Sequence, residues 1–318
     1  MTRVLVTGGA GYIGAVAAHQ LINSGVEVTI LDDLSTGHQE SLDARARFIK
    51  GSILNRESVI EALESCDGVM HFAGKSLVGE SVLKPDMYME NNVTGSQNLL
   101  DCMKIAGVKK IVFSSSAATY GSPDTSSIDE SVKTDPTNPY GLSKARVDEM
   151  LAARAIADGF AAISLRYFNV AGALKIENGW LAEHHNPETH LIPNVLKAST
   201  GNPIKIFGTD WGTPDKTCIR DYVHVVDLIS AHILAFQKLT TPGHKIVNLG
   251  SGSGYSVREV IATAEKVTGK QIPYLEDERR AGDPETLIAL IELAKEYLNR
   301  SPERDLELMI RDAYLSLQ

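Results

Sequence analysis

Apolar runs alternate with helix-like segments through the first half of the chain. These runs are continuous rather than alternately apolar and polar, which is typical of strands buried on both faces of a sheet. They are RVLVT (3–7), VEVTIL (26–31), ARFIK (46–50), GVMHFA (68–73), KIVFSS (110–115) and AAISLRYF (161–168). The intervening segments predict helices over 13–24, 56–64, 87–106 and 144–158. Strands that alternate with helices predict right-handed βαβ units, and therefore an α/β fold with a doubly wound parallel, Rossmann-like sheet.

The pattern changes after Ala171. Proline, glycine and histidine become more frequent there, and the apolar runs become shorter. We therefore predict two domains, a larger one over 1–170 and a smaller mixed α/β domain over 171–318. The segment around 218–238 is expected to pack back on the first domain.

The composition excludes several classes of protein. With 318 residues and 43% hydrophobic content, the chain can bury a sizeable core and is not expected to be disordered. Its net charge of -9 disfavours general nucleic-acid binding, which requires clustered lysine and arginine. No apolar run is long enough to span a bilayer, and the three cysteines are far apart. These features predict a cytoplasmic protein that binds neither nucleic acid nor a membrane.

The stretch TGGAGYIG (7–14) joins the first predicted strand to the first predicted helix. Glycine is unfavourable inside regular structure, so its repetition indicates a tight turn or the close approach of a ligand to the backbone. At this place in a βαβ unit, Gly8, Gly11 and Gly14 have the spacing that puts a pyrophosphate at a helix N-terminus. The stretch therefore predicts a dinucleotide-binding turn.

Asp32 and Asp33 end the second predicted strand, about 20 residues after the glycine turn. A carboxylate at that place accepts hydrogen bonds from the hydroxyls of an adenine ribose, and it repels a 2′-phosphate. The pattern therefore predicts NAD rather than NADP as the cofactor.

The segments SSSAATYG (114–121) and NPYGLSK (138–144) carry the candidate chemistry. Tyr140 and Lys144 are four residues apart, so a helix presents both on one face. A nearby ammonium favours the phenolate form of a tyrosine, which suits general acid-base catalysis beside a hydride transfer. A tyrosine and a lysine at this spacing are common on exposed helices; the serines of 114–116 and the glycine turn favour the catalytic interpretation.

The sequence resembles the extended short-chain dehydrogenase/reductase superfamily and, within it, the UDP-glucose 4-epimerase family. The resemblance covers nearly the whole chain. It rests on motifs that recur in order, namely TGGAGYIG, HFAGKSLVGES, NNVTG, FSSSAATYG, PYGLSK, LRYFNVAGA, ETHLIP, IFGTDWGTPDKTCIRDYVHVVDL and RRAGD.

The resemblance implies an activity and a set of site residues. Tyr140 corresponds to the catalytic base, Lys144 to its partner and Ser116 to a hydroxyl that relays the proton. The residues implied to bind NAD are Gly8, Gly11, Tyr12, Ile13, Gly14, Asp32, Asp33, Leu34, Ser35, Thr36, Ser52, Ile53, Phe72, Ala73, Gly74, Asn91, Ser114, Tyr140, Lys144 and Tyr167. Those implied to bind the UDP-hexose substrate are Ser116, Tyr140, Phe168, Asn169, His190, Leu191, Ile206, Phe207, Arg220, Tyr222, Arg280, Asp283 and Leu287.

The implied reaction is the interconversion of UDP-glucose and UDP-galactose through a transient 4-keto sugar. Arg220 and Arg280 suit a pyrophosphate, although for either arginine taken alone a surface ion pair is the better interpretation. The family also implies a homodimer formed through the helices predicted over 87–106 and 144–158.

The chain departs from the family pattern at three positions. Ser52 stands where many members have an aspartate for the adenine, and Ser76 stands where some have a lysine. His190 replaces an asparagine near the uridine diphosphate. The histidines of 184–190 suggest a metal, but no carboxylate or cysteine frame is evident around them, so no metal is expected.

Other activities remain open at this point. A sugar-nucleotide 4,6-dehydratase requires a further acid-base pair, and Ala117 and Ala118 argue against one. A 4-epimerase of an N-acetylhexosamine or glucuronate nucleotide, or a glucuronate decarboxylase, is not excluded. A non-catalytic NAD-sensing regulator typically lacks the catalytic tyrosine and lysine, which are both present here. Leu287, matched by the family to the sugar C2 substituent, is expected to favour plain hexoses unless it is simply a core residue.

Overall fold

The computed structural model describes residues 2–280 and 283–318, so Ala281 and Gly282 of the RRAGD motif lie outside the described residues. The chain forms two compact units. The first contains the chain up to Gly121, Lys133–Arg166 and Ile229–Val247, and the second contains Ser122–Val132, Tyr167–Leu228 and Asn248–Gln318. No helix within the described ranges is long and apolar enough to cross a membrane.

A seven-stranded sheet forms the centre of the first unit, with the strand order β14-β7-β5-β4-β1-β2-β3. The pairs between β1 and β2, β1 and β4, β2 and β3, β4 and β5, and β5 and β7 are parallel. The strands are β1 (Arg3–Thr7), β2 (Glu27–Asp32), β3 (Arg47–Lys50), β4 (Gly68–His71), β5 (Lys110–Ser114), β7 (Ala161–Tyr167) and β14 (Gly243–Leu249). The doubly wound parallel sheet and the six predicted strands are confirmed.

Helices connect these strands and pack on the sheet. They are α1 (Tyr12–Asn23), α2 (Arg56–Ala62), α3 (Val78–Leu83), α4 (Pro85–Tyr88), α5 (Gly95–Ala106) and α6 (Pro139–Asp158), with short 3₁₀ helices at Gln39–Ser41 and Ala117–Tyr120. A buried cluster that includes Leu5, Leu31, Val69, Leu99 and Phe113 forms the core around the sheet. The continuous apolar runs of the sequence therefore end up buried, as their pattern predicts.

Two predicted helices have different bounds in the structure. The helix expected over 87–106 consists of α4, a π-helical segment at Met89–Thr94, and α5. The helix expected to begin at Lys144 begins at Pro139, because the Asn138 side chain accepts a hydrogen bond from the Gly141 N–H (2.8 Å) and proline suits the first helical position. Tyr140 consequently lies in the first turn of α6.

The second unit contains short strands and helices. Its strands are β6 (Ser127–Ile128), β8 (Asn169–Ala171), β9 (Leu174–Ile176), β10 (Gly179–Leu181), β11 (Ile204–Phe207), β12 (Ile219–Arg220), β13 (Tyr222–His224), β15 (Tyr255–Ser256), β16 (Tyr274–Asp277) and β17 (Thr286–Ala289). Its helices are α7 (Leu191–Ala198), α9 (Val257–Thr268), α10 (Glu292–Leu298) and α11 (Leu306–Leu315). A separate core cluster, which includes Ile192, Val195, Ile206, Val260 and Met309, holds it together.

The two units divide the chain differently from the predicted boundary after residue 170. Strand β14 joins the sheet of the first unit beside β7, and the chain returns to that unit at Ile229 rather than at 218. Helix α8 (Val225–Gln237) spans this point. Conversely, β6 pairs with β17, so Ser122–Val132 belongs to the second unit. Both differences arise from strand pairings between segments far apart in sequence.

Candidate active site

The glycine turn leaves no space for a side chain at Gly8 or Gly14. Gly8 has a φ of 72°, and an added Cβ there would lie 2.6 Å from the Ala73 nitrogen, while one at Gly14 would collide with the Gly8 carbonyl. Helix α1 begins after Gly11 without a side-chain cap and has no acidic residue in its first turn. Its N-terminal N–H groups and positive dipole end are therefore suited to an anion such as a pyrophosphate.

Asp32 and Asp33 occupy different environments at the end of β2. Asp32 is buried, and its carboxylate accepts hydrogen bonds from the N–H groups of Ala10 (3.0 Å) and Leu34 (2.8 Å). Burial raises the pKa of Asp32, and both hydrogen bonds oppose that rise. Asp33 is exposed and accepts a hydrogen bond from the Ser35 N–H (2.9 Å). Asp32 thus ties the glycine turn to Leu34, the first of the predicted NAD contacts at 34–36.

The other predicted NAD contacts lie at the ends of neighbouring strands. Ser52 is partly exposed and its hydroxyl accepts a hydrogen bond from the Leu54 N–H (3.2 Å), whereas Ile53 is buried. Phe72, Ala73 and Gly74 follow β4, and a Cβ on Gly74 would lie 3.5 Å from the Lys144 ammonium. These positions surround the carboxyl ends of the parallel strands, where ligands bind in doubly wound sheets.

Ser116, Tyr140 and Lys144 lie together in the first unit. They are 8%, 9% and 5% exposed, respectively. The Tyr140 hydroxyl is hydrogen-bonded to Ser116, and the Lys144 ammonium donates to the Ser114 carbonyl oxygen (2.8 Å). The same ammonium lies 5.9 Å from the centroid of the Tyr140 ring. The structure therefore brings together the three predicted catalytic residues and Ser114.

The electrostatics of this cluster differ from the expectation that the phenolate form of Tyr140 is favoured. Burial raises the pKa of Tyr140, and the hydrogen bond from Ser116 opposes that rise. Burial also lowers the pKa of Lys144 to about 8, against the attraction of Asp148. The reason for the difference is desolvation, which disfavours both the phenolate and the ammonium when they are removed from water. The four-residue spacing of Tyr140 and Lys144 in the sequence does not show that both side chains are desolvated.

Two buried polar side chains near this cluster were not predicted. His71 is the register partner of Thr7, and its ring nitrogens lie 2.7 Å from the Thr7 hydroxyl and 2.8 Å from the Ser96 hydroxyl. Burial and the neighbouring Lys144 lower the pKa of His71 to about 3, so it stays neutral. The sequence signal was a histidine inside an otherwise apolar strand.

Asn92 is the second unpredicted polar residue. Its side chain accepts from the Lys75 N–H (2.8 Å) and donates to the Lys75 carbonyl (3.0 Å) and the Ser143 hydroxyl (2.9 Å). The predicted contact Asn91 precedes it and donates to its side-chain oxygen (3.0 Å). The π-helical segment thus fixes the chain after the Phe72–Gly74 turn against α6.

Several residues predicted to bind UDP lie close together in the second unit. The Arg220 guanidinium lies 3.9 Å from the Asp283 carboxylate, and Leu287 is the register partner of Arg220 between β12 and β17. Leu287 is partly exposed rather than buried in the core. Cys218, an unpredicted neighbour, is also partly exposed; burial raises the pKa of its thiol, and Arg220 lowers it.

Arg280 is placed against an aromatic ring. Its guanidinium carbon lies 3.8 Å from the centroid of the Phe207 ring, at the end of β11, whereas the preceding Ile206 is fully buried. The neighbouring Arg279 is stacked on Trp211 instead, at 4.0 Å. Two consecutive arginines are therefore each paired with a different aromatic side chain.

Asp221 organises the strands that carry the remaining predicted substrate residues. It is fully buried, and its carboxylate accepts hydrogen bonds from the N–H groups of four residues and from one hydroxyl. These donors are Tyr222 N, Ser251 N, Ser251 Oγ, Gly252 N and Ala289 N. Its carbonyl accepts from the Asn169 side chain (2.8 Å), and its N–H donates to the Leu287 carbonyl (3.0 Å). Sequence reasoning missed Asp221, although a lone acid between β12 and β13 was visible.

Three further aromatic residues among the predicted contacts belong to the second unit. Tyr222 is buried, which raises the pKa of its hydroxyl, and Phe168 is buried with its N–H donated to the Leu249 carbonyl (3.2 Å). Tyr167 is the last residue of β7 and is partly exposed.

His190 and Leu191 lie where α7 begins. The Glu188 carboxylate accepts from the His190 N–H (2.8 Å) and lies 2.8 Å from the His190 Nδ1. Glu183 is paired with His185. The expectation that no carboxylate accompanies these histidines is therefore wrong, because the loop after β10 folds back and brings both glutamates against the rings.

Comparison with known proteins supplements this geometry. The NAD dependent epimerase/dehydratase family matches residues 4–250. A relative from Corynebacterium glutamicum, named UDP-glucose 4-epimerase, is 49% identical over 315 residues, which cover 98% of this chain and 94% of the relative. A UDP-glucose 4-epimerase from Streptomyces lividans is 47% identical over 317 residues, covering 98% of this chain and 95% of the relative.

Solved structures show the same architecture. The UDP-glucose 4-epimerase of Brucella ovis in complex with NAD has a TM-score of 0.94 and 42% identity, covering 99% of this chain and 98% of that one. The UDP-glucose 4-epimerase of Bifidobacterium longum in complex with NAD⁺ and UDP has a TM-score of 0.91 and 36% identity, with the same coverage.

Proposed function

The chain belongs to the NAD dependent epimerase/dehydratase family, and we propose from that premise that it interconverts UDP-glucose and its 4-epimer UDP-galactose with NAD as cofactor. The observation that carries the proposal is the buried cluster of Ser116, Tyr140 and Lys144 beside the carboxyl ends of the parallel strands. Such a cluster is suited to moving one proton in a site that excludes water.

The residues of the first unit fit NAD. A Cβ at Gly8 or Gly14 would collide with neighbouring backbone, so glycine is required for the close packing of this turn, and the uncapped N-terminus of α1 offers N–H groups to the pyrophosphate. Asp32 has carboxylate oxygens that can accept further hydrogen bonds from ribose hydroxyls. When bound, NAD accepts a hydride from the sugar C4 and returns it, so the reaction involves no net oxidation.

Tyr140 is the proposed base. It takes the proton of the sugar 4-hydroxyl through a relay. The Ser116 hydroxyl accepts the proton from the sugar and donates its own to Tyr140. The Lys144 ammonium lies 5.9 Å from the centroid of the tyrosine ring, where its positive charge stabilises the phenolate that accepts this proton. The same proton returns to the sugar oxygen after the 4-keto sugar has presented its other face.

The second unit is proposed to hold the UDP part of the substrate. Arg220 and Arg280 supply positive charge for the pyrophosphate, and Asp283 accepts hydrogen bonds from hydroxyls. A firm hold on the nucleotide retains the keto sugar while a loosely held hexose rotates. We infer this division because the sugar must expose both faces to the same hydride.

The proposal is tested with UDP-glucose that carries deuterium at C4. We expect UDP-galactose to form without added NAD once the protein is loaded, and to keep the label at C4 when analysed by mass spectrometry and NMR. A parallel reaction of unlabelled substrate in heavy water should introduce no deuterium at C4. Absence of UDP-galactose, or loss of the label to solvent, would overturn the proposed reaction.

A homodimer in the cytoplasm is also proposed. Ile105 on α5 and Ile156 on α6 are 63% and 89% exposed, and Val82 and Leu83 on α3 are exposed as well, so these helices offer apolar side chains to an interface. All three cysteines are free, which fits a reducing compartment. Sedimentation at micromolar concentration should give twice the chain mass, and a monomeric mass would count against the dimer.

A further inference from the structure

The loop between β10 and α7 collects two carboxylates and two imidazoles. Glu183 is paired with the Nδ1 atom of His185, and its other carboxylate oxygen lies 3.8 Å from the Nδ1 atom of His190. Glu188 lies 2.8 Å from that same His190 nitrogen. The four side chains are separated by only a few residues of loop, so the folding of one segment creates the whole cluster.

Three of these residues lie close enough together to hold a metal ion between them. Glu183, His185 and His190 each offer one ligand atom, and those atoms all lie within 4.8 Å of one another. In a tetrahedral zinc site with bonds of about 2.1 Å, the ligand atoms are roughly 3.4 Å apart. Two imidazoles and one carboxylate form a donor set that zinc and similar divalent metals accept, with a coordination position left for water.

The negative charge of the loop also favours a bound cation. The side chains of Glu183 and Glu188 are only 13% and 3% exposed; Glu183 lies against both imidazoles, and Glu188 lies against that of His190. With neutral imidazoles, the two carboxylates would leave a charge of about -2 largely removed from water, which is unfavourable. A divalent cation bound among these groups neutralises that charge.

Glu188 also stabilises the loop backbone. Its carboxylate accepts hydrogen bonds from the N–H groups of Thr189 (2.8 Å) and His190 (2.8 Å). It therefore holds His190 in position at the start of α7 in either case, and it adds negative charge beside the donor set.

We propose that Glu183, His185 and His190 bind a divalent transition metal of the zinc class, which anchors the loop to the start of α7. The proposal does not depend on the epimerase activity. The competing arrangement is a metal-free network in which both imidazoles are protonated and paired with the glutamates. Direct metal binding distinguishes the two.

The test uses the full chain without a polyhistidine tag, dialysed against a chelator and then supplied with zinc alone or cobalt alone. We expect one equivalent of zinc per chain by mass spectrometry of the metal, a micromolar or lower Kd by competition with a chromophoric chelator, and a Tm that rises with metal concentration. Cobalt should give a visible absorption spectrum of low-coordinate nitrogen and oxygen ligation.

Variants locate the site. His185→Ala and Glu183→Gln should each remove the stoichiometric metal, whereas the matched control His184→Ala, one residue outside the donor set, should retain it. Conversion of UDP-glucose is measured separately, so loss of metal and loss of the proposed function are distinguishable. Failure to bind one equivalent at tenfold excess, or unchanged binding in both His185→Ala and Glu183→Gln, would overturn the proposal in favour of the ion-pair network.

Discussion

The two units of the molecule present their candidate functional residues in opposite ways. In the first unit, Tyr140 and Lys144 lie on one helix, Ser116 follows a strand, and all three are almost fully buried. In the second unit, Arg220, Arg280 and Asp283 lie at strand ends or in turns and are paired with one another or with an aromatic ring. They remain accessible to water in part.

This difference follows from what each region has to do. Proton transfer depends on groups held in a fixed geometry with little water, which regular elements provide. Binding a charged diphosphate depends on cations that are not already desolvated, because a fully buried arginine would need a permanent partner. The buried cluster should therefore control the rate of the chemical step, and the accessible residues should control substrate binding.

The sharpest test of this comparison is Tyr140→Phe. We expect kcat to fall by about 10² to 10⁴, the range of general acid-base catalysis, with bound NAD and Tm unchanged, because only a hydroxyl is removed. The matched control is Tyr274→Phe, an exposed tyrosine whose hydroxyl accepts from Arg258 (3.1 Å), and it should leave kcat unchanged. A decrease of less than tenfold for Tyr140→Phe would remove this residue from its proposed role.

The second test concerns binding in the other unit. Arg280→Leu should raise KM by roughly 10- to 100-fold and change kcat little, since hydrogen bonds to charged groups contribute about 1.5–3 kcal/mol. Arg279→Leu, the adjacent arginine stacked on Trp211, is the control and should shift KM by less than threefold. If Arg280→Leu lowered kcat as strongly as KM rose, the assignment of this region to binding alone would be wrong.

A third test uses the burial of Lys144, whose pKa is lowered to about 8. An unfolded lysine titrates near pH 10.4, so between about pH 8 and 10.4 the unfolded state binds more protons than the folded state. The free energy of unfolding should therefore rise with pH across this range, relative to Lys144→Met.

Urea unfolding of nucleotide-free protein at pH 7.5 and 9.5 measures this effect. The free energy of unfolding of the wild-type chain, relative to that of Lys144→Met, should be about 2 kcal/mol higher at pH 9.5 than at pH 7.5. Lys266, an exposed lysine paired with Glu307, provides the control through Lys266→Met, which should show no such gain. A pH-independent difference for Lys144 would contradict its desolvated position.

The smallest expected effect is at Leu287, in the accessible region. Its branched side chain should crowd an N-acetyl group at the sugar C2, so kcat/KM for UDP-glucose should exceed that for UDP-N-acetylglucosamine. Leu287→Ser should narrow this preference by about fivefold, equivalent to about 1 kcal/mol. Leu290→Ser, at an exposed leucine three residues further on, is the control. Equal kcat/KM for both sugars in the wild-type chain would refute the role of Leu287.

Much of the candidate site could be predicted because its signals are local. The glycines of 8–14 and the aspartates after β2 have meaning through their spacing from one strand and one helix. Tyr140 and Lys144 share a helix face whatever the rest of the chain does. What the sequence could not show was Asp221, whose five hydrogen-bond donors come from segments as distant as Ser251 and Ala289.

Local periodicity was enough to predict six strands of the central sheet, a glycine turn between β1 and α1, and a shared helix face for Tyr140 and Lys144. The tertiary structure was needed to show that β14 completes the sheet, that β6 pairs with β17, and that Glu183 faces two histidines. It also decided that burial raises the pKa of Tyr140 and lowers that of Lys144. The physical reason is that local periodicity depends on neighbouring residues, whereas strand pairing and desolvation depend on contacts between residues that are far apart in the chain.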